Sequence, residues 1–127
     1  MASHQKLKAW EHAKAFAVEV LRAVRRFPPE EHELADQLRR AALSAALNIA
    51  EGASRASYRD YRRFLDTGRS SLKEANAACE IAFAADIVDS STYAKLEAYG
   101  EEASKTLYGL MRYVDKCLKE GKTQRAL

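Results

Sequence analysis

The stretch that governs the fold is residues 34–55, which read LADQLRRAALSAALNIAEGASR. At 100° per residue around a helix, six of its polar side chains fall within a wedge of roughly 80°. Nearly all of the remaining surface is apolar or small, with Arg39 as the clear exception. We call the wedge the polar stripe; it comprises Gln37, Arg40, Ser44, Asn48, Glu51 and Arg55. Because a surface helix normally carries a wide polar face, this helix needs more cover than one four-helix bundle provides, which predicts a partner subunit.

The polar stripe has two interpretations, which the sequence leaves open. One is a structural network of hydrogen bonds and ion pairs, in which Glu51 and Arg55 have the four-residue spacing of a helical ion pair. The other is the lining of a channel or groove that is open to water and ligand, on the axis of an oligomer. Replacing Asn48 by leucine would separate them, because a network would lose stability whereas a channel would lose its ligand with the fold intact.

Hydrophobic periodicity predicts four helices, at about residues 7–26, 30–54, 58–87 and 91–119. Phe27-Pro28-Pro29 ends the first helix, Ser57 begins a segment resembling a capping box, and Asp89 is a candidate cap for the last helix. We expect residues 1–5 and 122–127 to be frayed. Four long helices with short loops predict an all-α fold, a single antiparallel up-and-down four-helix bundle over residues 1–127.

The composition excludes several classes of protein. Only five glycines and two prolines occur in 127 residues, which argues against a fold of many short strands. There is neither the apolar stretch of a secretory signal nor the roughly 20-residue apolar run of a membrane span, so we expect no membrane partner. The bundle would separate Cys79 and Cys117 by about 27 Å along its axis, which excludes a disulfide. Two free cysteines suit a reducing compartment, and we expect a cytoplasmic protein.

Several motifs together resemble a known bacterial family. They are the run from Gln37 to Ser44, the run from Asn48 to Gly52 with Arg55, Leu7 with Trp10 and Ala13, Phe27-Pro28, and Phe64-Leu65 followed by residues 68–74. Over about residues 6–118 the chain resembles the four-helix-bundle proteins encoded in intervening sequences of large-subunit ribosomal RNA genes. That resemblance implies a homopentamer with no established enzymatic activity. The fold also resembles the accessory proteins of diversity-generating retroelements, which are basic pentameric barrels that bind nucleic acid and a reverse transcriptase.

The charge is segregated along the chain although its total is only +3. Residues 1–29, 55–73 and 103–127 each carry a net charge of +4, whereas residues 30–54 carry −3 and residues 74–102 carry −6. In an antiparallel hairpin the start of the third helix lies beside the end of the fourth. We therefore expect two basic blocks to meet at one end of the bundle and the acidic segments to collect toward the other.

Within the basic blocks, the cations keep to one face of each helix. The candidate nucleic-acid contacts are Arg59, Arg62, Arg63, Arg69 and Lys73 on the third helix and Lys105, Arg112 and Lys116 on the fourth. Tyr58 and Tyr61 lie among the arginines, as in surfaces that combine phosphate contacts with base stacking. We interpret the chain as an oligomeric module that binds nucleic acid, RNA above all. The alternative is a protein-interaction scaffold without nucleic-acid affinity, in which the basic face is only solvated.

Motifs for catalysis, metals or cofactors do not emerge from the sequence. His4, His12 and His32 form no His-x-x-x-His or Glu-x-x-His pair. The chain also lacks a glycine-rich phosphate loop, a Cys-x-x-Cys motif and a nucleophile elbow. We therefore expect no enzyme, no metal site and no cofactor.

Overall fold

The computed structural model describes residues 7–126, which form four α-helices joined by short connections. They are α1 (Lys8–Val24), α2 (His32–Ala53), α3 (Tyr58–Ala84) and α4 (Ser90–Lys119), with one 3₁₀ turn, Pro29–Glu31, before α2. Over residues 7–126 there is no strand, only an isolated bridge between Ser57 and Gln124. The prediction of an all-α chain with four helices is confirmed; the frayed start predicted for residues 1–5 lies outside the described residues.

Two helices begin at the side-chain caps that the sequence predicts. Ser57 Oγ accepts a hydrogen bond from the Asp60 backbone N–H at 3.1 Å, and the Asp89 carboxylate accepts one from the Thr92 N–H at 2.8 Å. Each bond satisfies one of the N–H groups that the first turn of a helix leaves unpaired. The hydrogen bonds that the Asp89 carboxylate accepts from Thr92 also lower the pKa of this carboxyl group.

Two helices end earlier than periodicity predicts. α1 stops at Val24 rather than near residue 26, and α3 stops at Ala84 rather than near residue 87. After α3, Asp86 has a left-handed backbone with φ of 59°, and the Ile87 N–H donates to the Ala82 carbonyl oxygen at 2.8 Å. Such a turn satisfies the carbonyls of the last helical turn and usually contains glycine. Because an aspartate takes that position here, no glycine marks the end of α3 in the sequence.

One hydrophobic core runs through all four helices. Its largest wholly buried side chains include Phe16, Val20, Leu38, Ile49, Leu65, Leu96, Leu107 and Val114. Although Phe83 lies four residues after the buried Cys79 on α3, it is 39% exposed and stacks on Tyr93 with ring centroids 4.5 Å apart. Cys79 and Cys117 are both free, as the sequence predicts, and both are buried.

The helices pack so that α1 and α3 each contact both α2 and α4. Between α3 and α4, Arg62 donates to Asp115 and Asn76 donates to Ser104, so the start of α3 lies beside the end of α4. Between α2 and α3 the backbones approach closely: a Cβ on Gly68 would lie 3.3 Å from the Ala45 carbonyl oxygen.

Among residues 7–126, no helix combines the length and apolarity that a membrane crossing requires.

The C-terminal segment, residues 122–126, for which the sequence predicts a frayed tail, is packed against the start of α3. The Tyr58 N–H donates to the Thr123 carbonyl at 3.0 Å, and the Arg125 N–H donates to the Ala56 carbonyl at 2.7 Å. The Arg125 guanidinium donates at 2.8 Å to the carbonyls of Ala53 and Arg55, at the end of α2. These bonds hold the tail because a helix leaves its last carbonyls without partners inside the helix.

Candidate nucleic-acid interface

A groove between α3 and α4 carries the centre of the predicted basic surface. Arg69 and Lys73 of α3 line one wall, and Ser104 and Tyr108 of α4 line the other. Its apolar floor is formed by Leu72, Leu107 and Met111, and its volume is about 200 Å³. We call this feature the basic groove.

Helical spacing brings the polar walls of the groove together. Arg69 and Lys73 are four residues apart on α3, so their side chains lie one above the other on the same face. On α4, Lys105, Tyr108 and Arg112 follow at steps of three and four residues. The apolar residues between them face the core, which fixes the side of each helix from which the cations project.

The structure divides the eight predicted cations into two groups. Among residues 7–126, no carboxylate lies within ion-pairing distance of Arg59, Arg69, Lys73, Arg112 or Lys116. All five of these side chains are exposed. The other three, Arg62, Arg63 and Lys105, have acidic neighbours. The free group is therefore the part of the surface whose charge is available to an anionic ligand.

Arg62 joins α3 to α4 rather than pointing an unpaired charge at solvent. Its Nε donates to Asp115 at 2.6 Å across the helix pair, and its Nη1 donates to Asp66 at 2.7 Å along α3. The hydrogen bond to Asp115 is the main cause of a raised pKa for the guanidinium. Arg63 lies 3.5 Å from Asp60 and over the ring of Phe64, and Lys105 lies 3.7 Å from Glu102.

The aromatic residues of the basic surface differ from those the sequence singles out. Tyr61 is only 2% exposed, and the Arg125 guanidinium lies 4.1 Å from its ring centroid. Burial raises the pKa of Tyr61. Tyr58 is half-buried, whereas Tyr108 is 62% exposed and has Arg112 at 5.8 Å from its ring centroid. Tyr108 lies on the same face of α4 as Lys105 and Arg112, and this spacing could have placed it in the basic surface from the sequence.

Farther along the same helix pair the charge changes sign. A wider hollow of about 420 Å³ between α3 and α4 is lined by Glu80, Glu97 and Glu101, together with Asn76 and Tyr93. A second acidic hollow, between α2 and α3, is lined by Glu30, Glu31, Glu33 and Glu74. The predicted segregation of basic and acidic side chains along the α3–α4 pair is therefore confirmed.

The polar stripe of α2 forms side-chain bonds along the edge that faces α3. Ser44 Oγ lies 2.8 Å from Ser71 Oγ of α3, and the Asn48 amide donates to the Ser44 carbonyl and hydroxyl at 2.8 and 3.1 Å. The predicted ion pair between Glu51 and Arg55 is present at 2.8 Å. These contacts are the side-chain bonds that the described part of the stripe makes on the α3 side.

At its other end, the stripe reaches a polar hollow of about 300 Å³. Gln37 and Arg40 line this hollow with Glu33, Asp36 and Glu74. Outside the stripe, Leu47 of α2 is 60% exposed, so one bundle leaves part of the apolar surface of this helix uncovered.

Over residues 7–126 the structure has no cluster of three or more histidine, cysteine or acidic side chains able to hold a metal ion.

Comparison with known proteins agrees with this architecture. Residues 5–109 match the family described as 23S rRNA-intervening sequence protein. The chain belongs to this family. A solved structure from the S23 ribosomal protein family of Bacteroides thetaiotaomicron, described as a protein of unknown function, has a similar fold with a TM-score of 0.74. The 19% sequence identity extends over 81% of this chain and 97% of that one. No curated protein matches this member of the intervening-sequence family.

Proposed function

We propose that this chain is a non-enzymatic module that binds nucleic acid, RNA above all, through the basic groove and the exposed cations beside it. The observation that carries the proposal is the set of five cations without a carboxylate partner among the described residues: Arg59, Arg69, Lys73, Arg112 and Lys116. Unpaired surface cations can neutralise phosphates and release condensed counterions, which is the main sequence-independent source of affinity for nucleic acid. The family description, which refers to an intervening sequence of 23S rRNA, supports RNA as the first candidate.

The proposal includes the assembly as well as the site. We propose an antiparallel up-and-down bundle that forms a homopentamer, in which the exposed apolar surface around Leu47 is covered by a second copy. Leu43 and Ala50, one turn to either side on α2, are also only partly buried. Several basic grooves on one ring would bind one nucleic acid together and raise its apparent affinity. Two free cysteines support a cytoplasmic location.

The salt dependence of binding tests the proposal. If Arg69, Lys73 and Arg112 each contact one phosphate, affinity for a single strand falls about 20-fold per groove between about 50 and 200 mM salt. The double variant Arg69→Gln/Lys73→Gln should weaken binding about tenfold. It should also reduce the slope of log affinity against log salt by the amount that one to two phosphate contacts contribute. Fluorescence anisotropy with a labelled RNA measures both quantities.

A matched control removes the same charge from a different helix. Lys14 and Arg25 are exposed cations of the α1 region, which packs against α2 and α4 rather than α3. Lys14→Gln/Arg25→Gln should keep binding within about twofold of the wild type, since general electrostatic attraction contributes less than direct phosphate contact. Equal losses in the two variants, or no binding by the wild type, would contradict the proposal. Light scattering tests the pentamer, and a monomer would overturn the assembly.

A protein-interaction scaffold is the second candidate, and a separate observation favours it. Ile81 of α3 is 57% exposed beside Leu34 of α2, in the hollow rimmed by Glu30, Glu31, Glu33 and Glu74. An apolar floor with an acidic rim suits a basic amphipathic helix. Ile81→Lys would abolish capture of such a partner without changing RNA binding. Retention of a partner by a protein without RNA affinity would favour the scaffold over the nucleic-acid module.

A further inference from the structure

Tyr108 has the properties of a stacking platform inside the basic groove. Its ring is 62% exposed although most large aromatic residues of a bundle pack into the core. Arg112 lies 5.8 Å from the ring centroid, and Arg69 and Lys73 stand on the opposite wall of the groove. The ring thus combines free π surface with cations placed for flanking phosphates.

The apolar floor makes a second, independent argument for a base rather than a phosphate in the groove. Leu72, Leu107 and Met111 form the floor, and neither buried leucine offers a hydrogen-bond donor to an anion. A phosphate on the floor would reach hydrogen-bond donors only on the walls, at Arg69, Lys73 and Ser104, whereas the flat face of a base would bury apolar area against Tyr108. The charges of Arg69 and Lys73 stand on the wall of the groove, beside which the backbone of the same strand would pass.

An unpaired strand fits this arrangement better than a duplex. In a duplex the base faces are stacked on their neighbours, so they reach a protein ring only after unstacking. The acidic hollow lined by Glu80, Glu97 and Glu101 continues the α3–α4 groove beyond Lys105 and would repel phosphates. The basic face of α4 from Lys105 to Lys116 is about 17 Å long at 1.5 Å per residue, which spans about five stacked nucleotides.

Building on the proposed function, we infer that the basic groove selects single-stranded nucleic acid by stacking one unpaired base on Tyr108. Arg69, Lys73 and Arg112 hold the flanking phosphates. RNA and DNA strands share this chemistry, because the stacking face of a base is present in both. Each subunit then binds a short unpaired segment, and the acidic hollow ends the path of the strand.

The test compares single strands with a duplex in the full-length protein. Labelled RNA and DNA strands of about 10 nucleotides, roughly twice the basic face, and the corresponding duplex are titrated by fluorescence anisotropy. We expect the single strands to bind about tenfold more tightly than the duplex. Tyr108→Ala should lower single-strand affinity about tenfold and leave duplex affinity within about twofold, while Tyr108→Phe should bind as the wild type does.

Two further variants separate stacking from a general loss of aromatic surface. Tyr113 is also exposed on α4 but lies about 140° away around the helix, so Tyr113→Ala should bind as the wild type does. Because Trp10 is the only tryptophan, Trp10→Phe/Tyr108→Trp places a single indole in the groove. Its emission should be quenched by the single strands and not by the duplex.

The outcomes distinguish this inference from the function on which it rests. Salt-sensitive binding of strand and duplex with equal affinity, unchanged in Tyr108→Ala, would overturn the inference and leave nucleic-acid binding in place. Absence of binding by any probe would overturn both. A loss of affinity in Tyr113→Ala equal to that in Tyr108→Ala would also count against stacking. Thermal melting followed by circular dichroism checks that each variant is folded.

Discussion

Arg125 should contribute more to stability than any other residue of the C-terminal segment. Its Nη1 donates at 2.8 Å to the carbonyl oxygens of Ala53 and Arg55, and its guanidinium carbon lies 4.1 Å from the ring centroid of Tyr61. A hydrogen bond from a charged donor contributes about 1.5–3 kcal/mol, and a partly buried cation–π contact adds about 1 kcal/mol. Because one nitrogen serves both carbonyls, we expect Arg125→Ala to cost about 2–4 kcal/mol of unfolding free energy.

That loss is large compared with the stability of an ordinary domain. For 127 residues the entropy of unfolding is about 270 cal/mol/K, so a cost of about 2–4 kcal/mol lowers the melting temperature by about 8–15 °C. Arg125→Lys should recover only part of it, since a lysine keeps the charge but not the planar donor geometry. Urea denaturation followed by far-ultraviolet circular dichroism measures the change.

The control is Lys122→Ala in the same segment. Lys122 is exposed and pairs with Glu120 at 3.2 Å, and solvent screening leaves an exposed pair of this kind with little effect on stability. Truncation after Gly121 should cost at least as much as Arg125→Ala, because it removes the same side-chain bonds together with the backbone bonds of Thr123 and Arg125. If the unfolding free energy of Arg125→Ala lies within about 0.5 kcal/mol of the wild-type value, or is no lower than that of Lys122→Ala, the role assigned to Arg125 is refuted.

Two further predictions concern the α2–α3 contact and the buried thiol of α3. Ser44→Ala should cost about 1 kcal/mol of unfolding free energy by removing the partner of Ser71, while Ser44→Ala/Ser71→Ala should be closer to neutral. Urea denaturation of both single variants and the double variant measures these costs, and a double cost equal to the sum of the two single costs would argue against the bond. Burial raises the pKa of Cys79 to about 12 from 9.0, so its thiol stays protonated in the folded protein while the unfolded chain ionises. The stability from this thiol is complete below pH 9 and should fall toward pH 12 at up to about 1.4 kcal/mol per pH unit. Cys79→Ala should show a shallower decline than the wild type over that range, and identical declines would contradict the assignment.

The helices and their caps could be predicted because they depend on neighbouring residues. Ser57 and Asp89 cap the N–H groups three residues ahead, a relation contained within four consecutive positions. The end of α3 was harder, since Asp86 adopts the left-handed conformation that glycine usually marks. A cap that depends on local spacing can be found in the sequence, whereas one built by an unusual residue cannot.

The candidate site could be predicted only in part. The face of each helix that carries cations follows from periodicity, and Arg69, Lys73 and Arg112 all lie at the basic groove or against its tyrosine. Arg63 and Lys105 pair with carboxylates three residues away on their own helices, which spacing can predict, but a pair between helices cannot be found in this way. Arg62 has the same spacing as its neighbours on α3, yet Asp115, 53 residues away, compensates its charge.

The sequence by itself determined the four helices, the caps of α3 and α4 and the alternation of basic and acidic blocks, because each depends on residue spacing within one segment. Only the tertiary structure decided that Tyr61 is buried under Arg125 while Tyr108 stands exposed in the basic groove. It also decided that the tail returns to the end of α2, more than 70 residues back along the chain. The physical reason is that burial and charge compensation are properties of pairs of helices, whose register is set by packing the whole core.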